Sequence, residues 1–341
     1  MKKIKVLVVD DSLFYRAIIS KGISSDPQIK VIATASDPFD ARDKILRYNP
    51  DVITCDVEMP KMDGIKFVQR LIPQYPVPVI MVTTISESVF DAIRAGAVDF
   101  VTKPDVTSQI TLDSFIDELI IKVKTASQAK VSQWSPGRIS SNIDYVIDKK
   151  NYSIIAIGAS TGGTEAIYSI LRALPNTTPG IVIVQHLPAV FSKMFAERLN
   201  RTTSLKVKEA QTGDYVQQGH VFLAPGDKHM KVKKIGDKYK INCFEGEKVN
   251  GHRPSVDVLF ESIAQEAGNR AIGIILTGMG YDGAKGLLSM KNNGARTIGQ
   301  DEKSSVVYGM PKVAFNIGAV EAQVSLKDIP HKIYTILTGA Y

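Results

Sequence analysis

The sequence has few cysteines and few histidines for its 341 residues. Its two cysteines, Cys55 and Cys243, lie far apart, so no disulfide framework is expected and a cysteine-based metal site is excluded by number alone. The five histidines show no metal-ligand spacing such as His-Glu-x-x-His. The sequence therefore predicts neither a disulfide scaffold nor a metal centre of these types.

Long apolar runs are also missing, because none approaches the roughly 20 residues that a helix needs to cross a bilayer. The basic start of the chain and the apolar run Val6–Val9 together resemble a signal peptide. However, Asp10 and Asp11 end that run too early, and no cleavage site of small residues follows. We interpret the run as a buried first strand, and we expect a cytoplasmic protein that does not insert into membranes.

Acidic residues are outnumbered by basic ones, which gives a formal net charge of +7. An excess of lysine and arginine raises the possibility of a nucleic-acid partner. The densest basic stretch alternates like a hairpin and contains Lys228, Lys231, Lys233, Lys234, Lys238 and Lys240. We interpret it first as a solvated face. A surface for an anionic partner is the second alternative and DNA the third.

The chain length suits two domains, and the pattern supports this division. In the first half, short β-branched runs alternate with amphipathic helical segments, which predicts a parallel sheet with helices on both faces. The predicted strands are Lys5–Val9, Val31–Ala35, Val52–Cys55, Val79–Val82 and Phe100–Thr102. We assign residues 4–121 to the first domain. The polar, breaker-rich residues 122–149, which include Trp134, are interpreted as a linker.

The same alternation resumes in residues 150–338 and predicts a second domain, a doubly wound and mainly parallel α/β domain. Its clearest strands are Tyr152–Ile157, Ile181–Val184, His220–Leu223 and Ile272–Leu276. The pattern of the segment from Val207 to Cys243 predicts an antiparallel insertion or extension that contains a hairpin. The fold class of the whole chain is therefore α/β.

Polar groups follow four strands of the first half at the points where those strands end. Asp10 and Asp11 end the first strand, Asp56 the third and Thr83 the fourth, and Lys103 follows the fifth. Ligands bind beyond the carboxyl ends of parallel strands, and clustered carboxylates repel unless a hard cation such as Mg²⁺ lies among them. A single aspartate at a strand end is usually a helix cap. Five such groups in this order favour a site for a phosphoryl group carried by an aspartate.

Several motifs in this half resemble those of a known family: Asp10-Asp11-Ser12, Cys55-Asp56-Val57-Glu58-Met59-Pro60 with Met62-Asp63-Gly64, Val82-Thr83-Thr84, and Phe100-Val101-Thr102-Lys103-Pro104. Residues 4–121 thus resemble a response-regulator receiver domain, which implies a flavodoxin-like (βα)5 fold. The resemblance implies that Asp56 accepts phosphate from a histidine kinase. The segment Ile85–Ala95 looks shorter than is usual in that family.

The receiver resemblance also implies roles for the other residues. Mg²⁺ would be held by Asp10, Asp11, Asp56 and the main-chain carbonyl of Glu58. Thr83 and Lys103 would sense the phosphoryl group, and Phe100 would be the switching aromatic residue. We further expect a cis peptide bond before Pro104.

A hydroxyl, an imidazole and a carboxylate follow three strands of the second half. Ser160 lies in a glycine-rich turn after Tyr152–Ile157, where a helix N-terminus favours developing negative charge. His186 and Asp282 lie beyond two further strands, which predicts a hydrolase triad. A glycine-rich turn also suits a dinucleotide phosphate, but the spacing is not Gly-x-Gly-x-x-Gly, nor is it Gly-x-Ser-x-Gly. A lone histidine at a strand end is more often structural.

Five motifs carry a second resemblance: Gly158-Ala159-Ser160-Thr161-Gly162-Gly163, Gln185-His186-Leu187-Pro188, Ala224-Pro225-Gly226-Asp227-Lys228-His229-Met230, Arg253-Pro254-Ser255-Val256-Asp257, and Leu276-Thr277-Gly278-Met279-Gly280-Tyr281-Asp282-Gly283. Residues 150–338 resemble the CheB protein-glutamate methylesterase family. This implies hydrolysis of glutamate γ-methyl esters on the cytoplasmic helices of chemoreceptors, commonly with deamidation of receptor glutamines, and no cofactor in the esterase site. The Met279 N–H is the implied oxyanion donor, with Thr161 beside the nucleophile.

Together the two resemblances imply a chemotaxis hydrolase that is controlled by phosphorylation of Asp56. Its expected partners are methyl-accepting receptors and the histidine kinase, with no nucleic acid. A transcriptional regulator is one alternative, but the second half contains no compact helix-turn-helix. A catalytically silent adaptor with the same fold is the other alternative.

Overall fold

The computed structural model describes residues 3–60, 62–84, 87–104, 109–131 and 152–339. The chain divides into two compact units between residues 134 and 135. Each unit contains its own parallel sheet. None of the helices in the described ranges is long and apolar enough to cross a membrane. Trp134 and most of the predicted linker lie outside the described residues.

The first unit alternates strands and helices, as the apolar pattern predicts. Its strands are β1 (Ile4–Val9), β2 (Ile29–Ala35), β3 (Val52–Asp56), β4 (Val79–Thr83) and β5 (Asp99–Thr102). Its helices are α1 (Leu13–Ile23), α2 (Pro38–Tyr48), α3 (Gly64–Leu71), α4 (Ser88–Arg94) and α5 (Gln109–Ala126). All five predicted strands are present, with ends moved by one or two residues. Helix α5 continues into the segment that we interpret as the start of the linker.

The strands of the first unit form a parallel sheet in the order β2-β1-β3-β4-β5. Strands β3 and β4 are buried along their whole length, which explains their continuous apolar sequence. Ser12, Asp37 and Asp63 accept backbone N–H groups at the starts of α1, α2 and α3. The strand order reverses between β1 and β3, and ligands bind at such a point.

The second unit is larger. Its strands are β6 (Ile154–Ala159), β7 (Gly180–Gln185), β8 (Lys206–Glu209), β9 (Tyr215–Val216), β10 (His220–Leu223), β11 (His229–Ile235), β12 (Lys238–Phe244), β13 (Ala271–Ile275), β14 (Arg296–Gln300) and β15 (Ala322–Val324). Its helices are α6 (Gly163–Ala173), α7 (Ala189–Thr202), α8 (Val256–Glu266), α9 (Ala284–Asn292), α10 (Met310–Asn316) and α11 (Ile329–Thr338). A seven-stranded parallel sheet has the order β15-β14-β13-β6-β7-β10-β8.

The segment from Val207 to Cys243 differs in part from its predicted antiparallel form. Strands β8 and β10 pair in parallel and extend the large sheet. Only β9, β11 and β12 form a separate antiparallel sheet, in which β11 and β12 make the predicted hairpin. Short half-buried strands alternate in the same way in both kinds of pairing, so the sequence pattern did not separate them.

Helix α8 lies against the inner face of the antiparallel sheet. Met230, Val232 and Ile241 belong to the same buried cluster as Leu259 and Phe260 of α8. Burying each of these apolar side chains stabilises the fold by roughly 1.5–3 kcal/mol. This packing holds the start of α8 in place, where it contributes to the site described below.

Candidate functional sites

Three carboxylates converge at the reversal point of the first sheet. Oxygen atoms of Asp10, Asp11 and Asp56 all lie within 4.8 Å of one another. Asp10 and Asp56 are buried and Asp11 is exposed, so the cluster opens to solvent on one side. The Glu58 N–H donates to Asp56 Oδ1 at 3.4 Å, which places the main chain of residue 58 beside the cluster. An all-oxygen donor set of this kind fits Mg²⁺.

Lys103 joins the cluster from the loop after β5. Its Nζ lies 2.7 Å from Asp56 Oδ2 and 3.0 Å from Asp10 Oδ2. The Tyr15 ring lies beneath it, with Nζ 4.6 Å from the ring centroid. Burial raises the pKa of Asp56 to about 6, and the hydrogen bond from Lys103 opposes that rise. Burial alone would lower the pKa of Lys103, but its bonds to Asp56 and Asp10 raise it above the ordinary value.

The other two predicted switch residues, Thr83 and Phe100, belong to β4 and β5, and in the described residues neither forms a hydrogen bond with the carboxylate cluster. Thr83 ends β4 and is buried, and in the described residues its hydroxyl makes no hydrogen bond to the carboxylates. Phe100 is buried in β5 and packs edge-on against Phe90, with 6.4 Å between ring centroids. The prediction of a cis peptide bond before Pro104 was wrong. Among the described residues, the cis peptide bond is the one between Arg253 and Pro254.

In the second unit, Ser160 and His186 follow neighbouring strands. Ala159 and Gln185, the residues before them, are register partners of β6 and β7. The Ser160 main chain is held on both sides. Its N–H donates to the Thr277 carbonyl at 3.0 Å, and its carbonyl accepts from Gln185 Nε2 at 2.9 Å. The turn into α6 needs Gly162, whose φ of 77° is unfavourable for other residues.

The loop after β13 packs directly against the proposed nucleophile. A Cβ on Gly278 would lie 2.7 Å from Ser160 Cβ, so only glycine allows this approach. The Gly278 main chain is tied to Val307 and Met310 by hydrogen bonds. The next N–H, that of Met279, makes no hydrogen bond to any described residue. Thr161 is buried, and its carbonyl accepts from the Thr277 hydroxyl at 3.0 Å.

His186 and Asp282 form the pair that the triad prediction requires. His186 Nε2 lies 3.0 Å from Asp282 Oδ2, and the histidine side chain is 9% exposed. With a proton on Nε2 for this bond, Nδ1 is left as the basic nitrogen. Nδ1 is buried and has no hydrogen-bond partner among the described residues. No hydrogen bond joins Ser160 Oγ to His186 in the described structure, and such bonds often tighten only when substrate is bound.

Asp282 lies at the N-terminus of α8 and accepts hydrogen bonds at both oxygens. Oδ2 accepts from His186 and the Val256 N–H, and Oδ1 accepts from Asn250 Nδ2, Ser255 Oγ and the Asp257 N–H. Burial alone would raise the pKa of Asp282. The bonds from His186, Asn250 and Val256, with the His186 charge, lower it well below the ordinary value. The carboxylate therefore stays ionised next to the imidazole.

Sequence reasoning missed three residues of this site. Asn250 and Ser255 bind Asp282, and His252 stacks on His186 with ring centroids 3.8 Å apart. Burial, followed by the charge of His186, lowers the pKa of His252 to about 4, so His252 is a neutral neighbour. Ser255 was detectable as an N-cap before an apolar helical run. Asn250 and His252 come from a loop whose path has no such signal.

Both halves of the chain are similar to known protein families. The family model described as CheB methylesterase matches residues 155–333, and the response regulator receiver domain model matches residues 6–113. A Syntrophomonas wolfei protein named protein-glutamate methylesterase/protein-glutamine glutaminase 2 is 56% identical over 99% of this chain and 98% of its own length. A Salmonella typhimurium relative with the same name, without the number, is 45% identical over 98% of this chain and 97% of its own length.

Among solved structures, the CheB methylesterase catalytic domain of Thermotoga maritima is similar to the second unit. It aligns with a TM-score of 0.53 and 38% identity. It covers 54% of this chain and 98% of that domain.

Proposed function

The chain belongs to the CheB methylesterase family and carries a receiver domain, and we propose that it removes γ-methyl groups from receptor glutamates under control of Asp56 phosphorylation. Its activity class is that of its relatives, protein-glutamate methylesterase and protein-glutamine glutaminase. We propose residues 4–121 as the receiver, 122–149 as the linker and 150–338 as the hydrolase. The observation that carries this proposal is the pairing of the largely buried His186 with the buried Asp282 beside Ser160.

We assign the chemistry as follows. Ser160 Oγ attacks the γ-carbonyl carbon of a glutamyl methyl ester, and His186 Nδ1 takes the hydroxyl proton. The Met279 N–H donates to the oxyanion, and one such donor typically contributes about 3 kcal/mol of transition-state stabilisation. His186 then gives its proton to the methoxy oxygen, and methanol leaves. Water, deprotonated by His186, hydrolyses the acyl-Ser160 ester and restores the serine. With glutamine as substrate, ammonia leaves instead.

Asp282 serves this cycle through His186. While its carboxylate is ionised, it accepts a hydrogen bond from the His186 Nε2–H and keeps Nδ1 available as the base. It also stabilises the imidazolium that forms when the serine proton is taken. The N-terminus of α8, Ser255 and Asn250 fix the position of the carboxylate, so the imidazole ring is held without help from substrate.

In the receiver, we propose that Asp56 accepts a phosphoryl group from the histidine kinase of the chemotaxis system. Mg²⁺ would be held by Asp10, Asp11, Asp56 and the Glu58 carbonyl, where it would neutralise the anionic oxygens. Phosphorylation replaces the single charge of the Asp56 carboxylate with a phosphoryl group that carries nearly two negative charges, beside Lys103, which already bridges Asp56 and Asp10. We propose that Thr83 and Phe100 respond to this charge and that the response raises esterase activity.

The test is methanol release from methyl-labelled receptor membranes. The wild type should release methanol, and a small phosphodonor should increase the rate. Ser160→Ala should release none in either condition. Asp56→Asn should keep the basal rate and lose the increase. If the folded wild-type protein releases no methanol under any condition, the methylesterase proposal is wrong and the silent-adaptor alternative takes its place.

A further inference from the structure

One face of the antiparallel sheet is left uncovered by the described residues of the second unit, and it is cationic. The inner face packs on α8, so alternation along β11 and β12 turns the other residues outward. The outward side chains of Lys231, Lys233, Lys238 and Lys240 define what we call the lysine face. Lys233 stands directly opposite Lys240 in the register of the two strands. Like charges in such a pair destabilise a sheet, so folding alone gives no reason for this arrangement.

The lysine face is not neutralised within the described protein. None of its four lysines forms an ion pair there. Lys238 and Lys240 lie over the exposed Tyr215 ring, each 5.9 Å from its centroid, and Lys231 lies 5.2 Å from the centroid of Phe244. Aromatic contacts of this kind hold the ammonium groups in place without cancelling their charge.

One end of this sheet adjoins the hydrolase site. His229 and Phe244 are register partners at the first and last positions of the hairpin. His229 Nδ1 accepts the Ser255 N–H at 3.2 Å, and Ser255 Oγ in turn donates to Asp282 at 2.7 Å. From that end the strands extend outward over six residue steps, about 20 Å. The lysine face therefore begins next to the triad and leads away from it.

We propose that the lysine face docks the acidic side of the substrate helix while one of its side chains occupies the hydrolase site. This inference rests on the proposed function. The scissile methyl ester and amide are neutral, so electrostatic attraction must act through carboxylates elsewhere on the same segment. An α-helix rises about 1.5 Å per residue, so the length of the hairpin, about 20 Å measured from its end at the hydrolase site, corresponds to about 13 helical residues. Glutamates on one side of the substrate helix, within about four turns of the scissile residue, would therefore lie opposite the lysine face.

The test uses two synthetic helical peptides, each with a single glutamyl γ-methyl ester. One has glutamates on the flanking turns and the other has glutamines there. The variant Lys233→Glu/Lys240→Glu is compared with the wild type and with Lys312→Glu/Lys327→Glu, which reverses two exposed lysines elsewhere on the same unit. A small glutamyl methyl ester reports whether each variant is folded and active.

We expect the lysine-face variant to lose about tenfold in kcat/KM on the acidic peptide only. The control variant should match the wild type on all substrates. Wild-type activity on the acidic peptide should also fall with added salt, more steeply than that of the lysine-face variant.

Equal activity of the wild type and the lysine-face variant on the acidic peptide would overturn the docking proposal. An equal loss of kcat/KM in the control variant would also overturn it. A third contradicting result is salt-sensitive binding of duplex DNA that depends on Lys233 and Lys240, while their substitution leaves hydrolysis of the peptide unchanged. If the wild type does not hydrolyse even the small ester, the proposed function fails instead, so the two failures are distinguishable.

Discussion

Replacing Asp282 by asparagine changes one oxygen of a buried carboxylate that accepts hydrogen bonds at both oxygens. An asparagine keeps an acceptor on one side and presents an NH₂ donor on the other. If the NH₂ replaces Oδ2, it faces His186 and the Val256 N–H. If it replaces Oδ1, it faces Asn250, Ser255 and the Asp257 N–H. Either orientation leaves a main-chain N–H group without an acceptor, that of Val256 in the first case and that of Asp257 in the second.

The magnitude follows from these contacts. Hydrogen bonds to a charged group contribute about 1.5–3 kcal/mol each, so the variant should lose at least about 1.5–3 kcal/mol of unfolding free energy. Without the carboxylate, His186 is no longer held with its proton on Nε2, and the turnover number should fall by about 10³–10⁴. Urea unfolding measures the first effect, and methanol release from a small glutamyl methyl ester measures the second.

Asp257→Asn is the matched control. Asp257 is also buried at the start of α8 and also binds Asn250, but it contacts Gly286 rather than His186. Its substitution should lower stability and leave turnover within a few-fold of wild type. Retention of a tenth or more of the wild-type turnover number by Asp282→Asn, or an equal loss of activity in both variants, would refute the role assigned to Asp282.

Three other results are expected. The pKa of Asp282 is lowered in the folded state, so its contribution to stability is present above the ordinary aspartate pKa and is lost as pH falls. The free energy of unfolding should therefore fall less steeply with decreasing pH in Asp282→Asn than in wild type. Gly278→Ala should abolish esterase turnover with little change in helix content by circular dichroism, because the new Cβ would lie 2.7 Å from Ser160 Cβ and 2.4 Å from Met310 Sδ. Lys103→Gln should destabilise the receiver by about 3–5 kcal/mol, since it leaves buried Asp10 and Asp56 unpaired, and added Mg²⁺ should restore most of the thermal stability.

Much of the fold and of both sites was predictable because buried parallel strands have a strong sequence signal. The apolar runs before Asp10, Asp56, Ser160 and His186 place these residues at strand ends, and neighbouring parallel strands bring such ends together. The structure agrees at each of these positions. Strand pairing in the segment from Val207 to Cys243 was predicted only in part.

What the sequence did not reveal depends on loop paths and side-chain directions. Asn250 reaches Asp282 from a turn in which it has a φ of 53°, and nothing in the local pattern indicates where that turn leads. The stacking of His252 on His186 has the same origin. The alternation along β11 and β12 does not show which of its two faces is buried. The lysine face points outward because the opposite face packs on α8.

The most direct measurement of the central claim is mass spectrometry of the enzyme quenched in acid during turnover of a glutamyl methyl ester peptide. The account predicts a covalent adduct with the mass of the peptide acid, less water, on the enzyme fragment that contains Ser160. Methanol should appear in a burst that matches the adduct, and Ser160→Ala should show neither. Steady methanol release by Ser160→Ala, or turnover with an adduct on another residue, would contradict the account.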